Sequence, residues 1–159
     1  MQIHARLLFC TYKFDFNHLY KQALAGRSNK EYRMSKDNKT FDLEDRLIDF
    51  AVRIIQVAES LPKTRVGNHI GGQLIHCGTS PAPNYGEAQG AESRSDFIHK
   101  MKVCLKELRE TKVWLKMIVR ANLIEPASKL DSLIDENNQL ISIFVTSIKS
   151  AGENNPKTS

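Results

Sequence analysis

The stretch FIHKMKVCLKELRETKVWLKMI, Phe97 to Ile118, decides the fold. Phe97, Met101, Cys104, Leu108, Thr111, Leu115 and Ile118 alternate steps of four and three without a break, the heptad seam along which a helix packs on its neighbours. Downstream, Leu130, Ile134, Asn137, Ile141, Phe144 and Ile148 repeat the seam, and Leu133, Leu140, Ile143 and Val145 widen it. Upstream, Leu43, Leu47, Phe50, Ile54, Ala58 and Leu61 recur at the same spacings from a start near Phe41, and Pro62 ends that helix by disfavouring helical geometry in the residue before it. Between them Thr64 to Gly90 places Val66, Ile70, Leu74 and Ile75 on one side of a helix threaded with Gly67, Gly71, Gly72 and Gly78. Each glycine costs a helix about 1 kcal/mol against alanine, so these mark either a close backbone approach or a frayed helix. Ser80-Pro81-Ala82-Pro83 predicts a kink or short break, with helix resuming from Asn84 to Ala91. Ser93 or Ser95 is placed to cap the third predicted helix, which ends near Asn122, and Pro126 suits the first turn of the fourth. Four helices of about 20 to 28 residues with short connections predict an all-α fold, an antiparallel up-down-up-down four-helix bundle, over residues 41–151.

The chain has 159 residues, 41% hydrophobic and 26% charged, within the range of one ordinary globular domain. No apolar run approaches the roughly 20 residues of a membrane span. Cys10, Cys77 and Cys104 are odd in number and lack a C-x-x-C spacing, so neither a disulfide framework nor a zinc knuckle is indicated and a soluble chain of the reducing cytoplasm fits. The net charge of +5 is uneven: residues 1–40 hold eight Lys and Arg against three acids, whereas residues 41–151 hold fourteen of each sign. Residues 1–40 therefore read as a basic, poorly ordered extension without the features of a secretory signal. Either Met34 is the natural start and residues 1–33 are translated upstream sequence, or the segment is a basic arm. Residues 152–159 read as a disordered tail.

Within the neutral bundle, residues 94–120 carry eight Lys and Arg against three acids. On a helical wheel Lys102, Lys106, Arg109, Lys116 and Arg120 fall within about 40° of one direction opposite the seam, with Lys112 and Arg94 beside them. Cations spread over about 27 Å can follow a phosphate backbone. These six, Lys102, Lys106, Arg109, Lys112, Lys116 and Arg120, are the candidate nucleic-acid-binding residues. The same pattern also suits a solvated face, or pairing with a neighbouring subunit's first helix, where Asp42, Glu44, Asp45, Asp49 and Glu59 outnumber Arg46 and Arg53. Val103, Trp114 and Met117, with Ala121, form a second apolar patch about 120° from the seam, the expected surface of a homo-oligomer. Asn137 inside the fourth seam is either a register-setting polar residue or a satisfied or solvent-facing one.

Chemistry is not advertised. His69 and His76 lie seven apart with Cys77 following, whereas a helical metal site wants ligands at i and i+4, so these read as structural and no metal is expected. No nucleophile elbow, phosphate loop, zinc-helix or dinucleotide motif occurs. Cys104 on the seam reads as a small hydrophobe, and Glu87 with Glu92, or Glu107 with Glu110, as surface glutamates. We expect no catalytic residues and no cofactor.

Several stretches resemble one family: Phe41-Asp42-Leu43-Glu44-Asp45-Arg46-Leu47-Ile48-Asp49-Phe50-Ala51, Leu61-Pro62-Lys63-Thr64 and Gly72-Gln73-Leu74. Most specific is Gly78-Thr79-Ser80-Pro81-Ala82-Pro83-Asn84-Tyr85-Gly86-Glu87-Ala88-Gln89-Gly90-Ala91-Glu92-Ser93, with Asp96-Phe97-Ile98-His99-Lys100 after it. Together they resemble the bacterial proteins encoded in intervening sequences of large-subunit ribosomal RNA genes and labelled ribosomal-protein-like. The resemblance implies an antiparallel four-helix bundle, assembly as a homopentamer and no catalytic residues. It extends more distantly to the accessory protein of diversity-generating retroelements, which implies a reverse transcriptase or nucleic acid as partner. The expected role is a cytoplasmic, non-catalytic binding module that associates with RNA through the basic face; the alternative is a protein-interaction scaffold with no nucleic-acid role.

Overall fold

The computed structural model describes residues 42–153. The expectations for the basic extension, for a helix start at Phe41 and for the tail beyond Glu153 lie outside the described residues.

Every regular element among the described residues is helical: α1 (Leu43–Ser60), α2 (Arg65–Thr79), α3 (Pro81–Gln89), α4 (Arg94–Arg120), a 3-10 turn (Ala127–Leu130) and α5 (Asp131–Glu153). Three starts are fixed by side-chain caps that satisfy otherwise unpaired amides. Asp42 accepts from the Glu44 N–H at 2.9 Å, Thr64 from the Gly67 N–H at 3.1 Å, and Ser93 from the Asp96 N–H at 3.1 Å. Of the two candidate serines, Ser93 is the cap. Helix α1 stops at Leu61, whose extended backbone (φ −67°, ψ 150°) is what a residue preceding proline adopts.

The proline segment bends the chain without opening a gap. Ser80 keeps helical angles (φ −60°, ψ −34°), and helix resumes at Pro81 rather than at Asn84. Pro81 and Pro83 occupy the first turn of α3, where amide donors have no intrahelical partner to lose. The fourth predicted helix also shifts. Pro126 stays extended (φ −68°, ψ 149°) ahead of the 3-10 turn, so α5 begins at Asp131 and runs through Gly152 to Glu153, past the expected end at residue 151. The Arg94 guanidinium donates to the Ala151 carbonyl near that end, supplying a cationic partner where helix carbonyls go unpaired.

The bundle is the expected one, with α2 and α3 as two segments of its second member. Helix α1 lies on α2; α4 packs against α2, α3 and α5; the backbones of α1 and α4 do not approach each other closely, so the two helices sit diagonally across the bundle. Seam residues Met101, Cys104, Leu108, Thr111, Leu115 and Ile118 of α4 are all buried, as are Leu47, Phe50 and Ile54 of α1, Leu74 of α2 and Leu140 and Phe144 of α5. Two glycines settle the alternative posed by the sequence in favour of close approach. A Cβ on Gly78 would lie 2.6 Å from Ile54 Cγ2, and one on Gly67 would lie 2.0 Å from the Pro62 carbonyl oxygen, whereas Gly72 opens onto space. Helices α1 and α5 are tied by a fork of Arg46 onto Glu136, Nε to Oε1 at 2.5 Å and Nη2 to Oε2 at 2.9 Å, and by Arg53 donating to Ser132 at 2.9 Å. These pairings run α1 and α5 antiparallel.

Candidate functional site

Twenty-seven residues without a proline or glycine make α4 one uninterrupted helix, about 40 Å long. One side of it is fixed by the buried seam, so the opposite side must face outward. Lys102, Lys106, Arg109, Lys116 and Arg120 are all exposed there, and Lys112 is half-buried on the flank towards the core. None of the six forms an ion pair among the described residues. The ion pairs that do form lie elsewhere: Arg46 with Glu136, Lys63 with Glu59, Lys149 with Glu153, and Lys100 of α4 with Glu87 of α3. Unpaired ammonium and guanidinium groups at this density repel one another, and a polyanion relieves that repulsion. Val113 sits in the middle of the row, 48% exposed.

The second apolar patch divides. Met117 is 44% exposed and Ala121 is exposed, but Val103 and Trp114 are half-buried within the bundle. Trp114 meets His69 of α2 edge-on, ring centroids 6.1 Å apart at 78°, and its indole N–H donates to Glu110 Oε1 at 3.3 Å. His69 is thus an exposed partner of a tryptophan, and His76 is exposed. The sequence missed a clearer exposed stripe: Ile48, Val52 and Ile55 of α1 are 42–47% exposed at spacings of four and three. Acidic Asp45, Asp49 and Glu59 accompany them on the outer side. The signal was present in α1 as a second three-four repeat, overshadowed by the stronger core repeat beside it.

Inside the bundle, polar groups serve packing. Asn137 is fully buried, which excludes the solvent-facing alternative, and its Nδ2 donates to the Leu108 carbonyl at 3.1 Å while Oδ1 has no partner. Glu107 is not the surface glutamate expected: it is 7% exposed, at the edge of the α4 seam, with Oε2 unpartnered. Cys77 and Cys104 are buried, and burial pushes their thiols up to about 11 and about 12. Such thiols hold their protons and are poor nucleophiles. Among the described residues no group of three or more His, Cys, Asp or Glu is placed to hold a metal ion, and no helix is long and apolar enough to cross a membrane.

The family described as 23S rRNA-intervening sequence protein matches residues 39–145, nearly the whole of this bundle. The chain belongs to that family. It is also similar to a solved structure from Bacteroides thetaiotaomicron, described as a protein with unknown function from the S23 ribosomal protein family, at 30% identity and a TM-score of 0.63. That match covers 68% of this chain and 99% of the other. No curated protein matches. Family membership places this chain among the intervening-sequence proteins.

Proposed function

We propose that the protein is a non-catalytic binding module of the cytoplasm that associates with RNA through the outward face of α4. The observation that carries this reading is the row Lys102, Lys106, Arg109, Lys116 and Arg120, exposed and in no ion pair among the described residues. Contacts of this kind neutralise phosphates and release counterions, so affinity depends on charge and salt more than on sequence. Non-specific affinity in the micromolar range is expected at physiological salt. A homo-oligomer, with five copies as the expected ring, would repeat the row and raise its field.

The test is a titration of labelled structured RNA at two salt concentrations, beside a variant carrying Lys102→Gln, Lys106→Gln, Arg109→Gln and Lys116→Gln, with the mass in solution measured for both. Binding that weakens steeply with salt and is lost in the variant is the expected result. An oligomer that ignores RNA at low salt would discard it.

A second reading, the protein-interaction scaffold, draws on the exposed Ile48, Val52 and Ile55 and their acidic neighbours on α1. In that reading α1 of one copy lies on the cations of α4 in the next, and the row is neutralised by protein rather than by RNA. A reverse transcriptase, the partner implied by the more distant resemblance, would favour the nucleic-acid reading over this one. The quadruple variant separates the two readings, because the scaffold loses its assembly along with its charge.

A further inference from the structure

We propose that a cleft at one end of the bundle, between the last turns of α1 and the connection into α5, binds a small amphipathic anion: a monocarboxylate carrying a short hydrocarbon chain. The cleft follows from where α5 begins. Because α1 and α5 run antiparallel, Arg46 meets Glu136 and Arg53 meets Ser132, which is already in the first turn of α5. Beyond Arg53 the end of α1 has no helix opposite it. Gln56, Val57 and Ser60 instead face the 3-10 turn and the connection before it, and a cavity of about 330 Å³ lies between them. That is the small end of the range for ligand pockets, about 300–1,000 Å³.

The lining divides into a charged rim and an apolar floor. Arg53 and Lys129 are its charges, no acid lines it, and neither cation forms an ion pair among the described residues. Arg53 is half-buried and donates from Nη2 to Ser132 Oγ at 2.9 Å, and exposed Lys129 donates to the Glu125 carbonyl at 2.7 Å. A guanidinium has five N–H donors and an ammonium three, so both keep donors for a ligand. Of the nearby acids, Glu59 is drawn off to Lys63, and Glu125 and Asp131 are exposed outside the lining. Val57, Ile124, Leu130 and Leu133 form the floor, both leucines only 2% exposed. A second cavity on the same seam, about 480 Å³, differs in charge: Arg46 and Arg53 are matched there by Asp49 and Glu136. The smaller cleft is the electropositive one.

This pairing of rim and floor selects the ligand. A guanidinium matches a carboxylate through paired N–H groups, and a hydrocarbon chain laid on the floor adds affinity with the apolar area it covers. Inorganic phosphate would set polar oxygens against aliphatic side chains that offer them no hydrogen bond. A hydrocarbon without the carboxylate would leave the cations without a partner.

The experiment titrates hexanoate into the full chain, followed by NMR of the Ile, Leu and Val methyls, beside acetate, hexanol and inorganic phosphate. Hexanoate is expected to bind with about millimolar affinity, the scale of a ligand with about eight non-hydrogen atoms, and to shift the methyls of Val57, Ile124 and Leu133. The other three are expected to bind about tenfold more weakly or worse. Arg53→Gln is expected to weaken hexanoate about tenfold, the scale of a hydrogen bond to a charged group, with part of the affinity kept by Arg53→Lys. Thermal unfolding of each variant keeps loss of binding apart from loss of fold. Acetate, phosphate or hexanol binding as tightly as hexanoate would overturn the proposal, and so would full affinity in Arg53→Gln, shifts confined to other methyls, or no saturation by hexanoate. The cleft shares no residue with the outward face of α4, so the variant with four substitutions there is expected to bind hexanoate unchanged. Loss of hexanoate in that variant would place the anion on α4 and overturn the proposal.

Discussion

A hydrogen at Gly78 stands where any side chain would strike Ile54. An added Cβ would meet Cγ2 at 2.6 Å and Cγ1 at 2.9 Å, both on a β-branched side chain that is itself fully buried. Gly78→Ala is expected to destabilise the bundle by about 1–3 kcal/mol through overpacking. Gly72→Ala, whose Cβ meets nothing within 4 Å, is expected to gain up to about 1 kcal/mol from helix propensity. Urea midpoints at unchanged m-value would check both, and equal effects at the two sites would refute the close-approach account. The glycine run alone could not tell these positions apart, because the difference lies in α1. Glu107 was hidden for a related reason. Its type reads as surface, and only the closeness of the packed helices turns the seam edge into interior.

At the scale of the element, each helix was visible as a period, while its ends were set by interactions a period does not encode. Ser93 and Ser95 are two residues apart and equally good caps by type. The structure selects Ser93, whose hydroxyl accepts from the Asp96 amide. Ser93→Ala is expected to cost about 1 kcal/mol, against little for Ser95→Ala, read from chemical denaturation; the reverse order would move the helix start. The proline segment was legible as an interruption, but its consequence depended on where the prolines fell within the turn. At the head of α3 they cost no hydrogen bond, so Ser80 stays helical. The candidate site was legible to the same degree. The cationic row follows from spacing alone, and that its members escape ion pairing follows only from the fold, in which Glu107 is buried and Glu110 accepts from the Trp114 indole.

For the molecule as a whole, burial of the thiols ties stability to alkaline pH. In the fold Cys77 is pushed up from 9.0 to about 11 and Cys104 from 9.0 to about 12, in both cases chiefly by burial. Buried Tyr85 is pushed up as well. Above pH 9 the unfolded thiols release protons that the folded ones retain, so the unfolded state binds fewer protons and stability falls as pH rises. The contribution is complete below pH 9 and is lost by about pH 11 to 12. A variant with Cys77→Ala and Cys104→Ala is expected to be less stable overall but to lose stability with a shallower slope across that window, followed by denaturant titration. An unchanged slope would assign the alkaline transition to other groups.

Helices α1 and α4 stand on opposite corners of the bundle, one turning acids outward and the other cations. Charge separated across a rigid body makes an electric dipole, and a dipole feels torque before it feels contact. Approaching a polyanion, the bundle would rotate α4 forward and swing α1 to the rear, leaving the Ile48, Val52 and Ile55 stripe facing away from the ligand and open to whatever else is nearby.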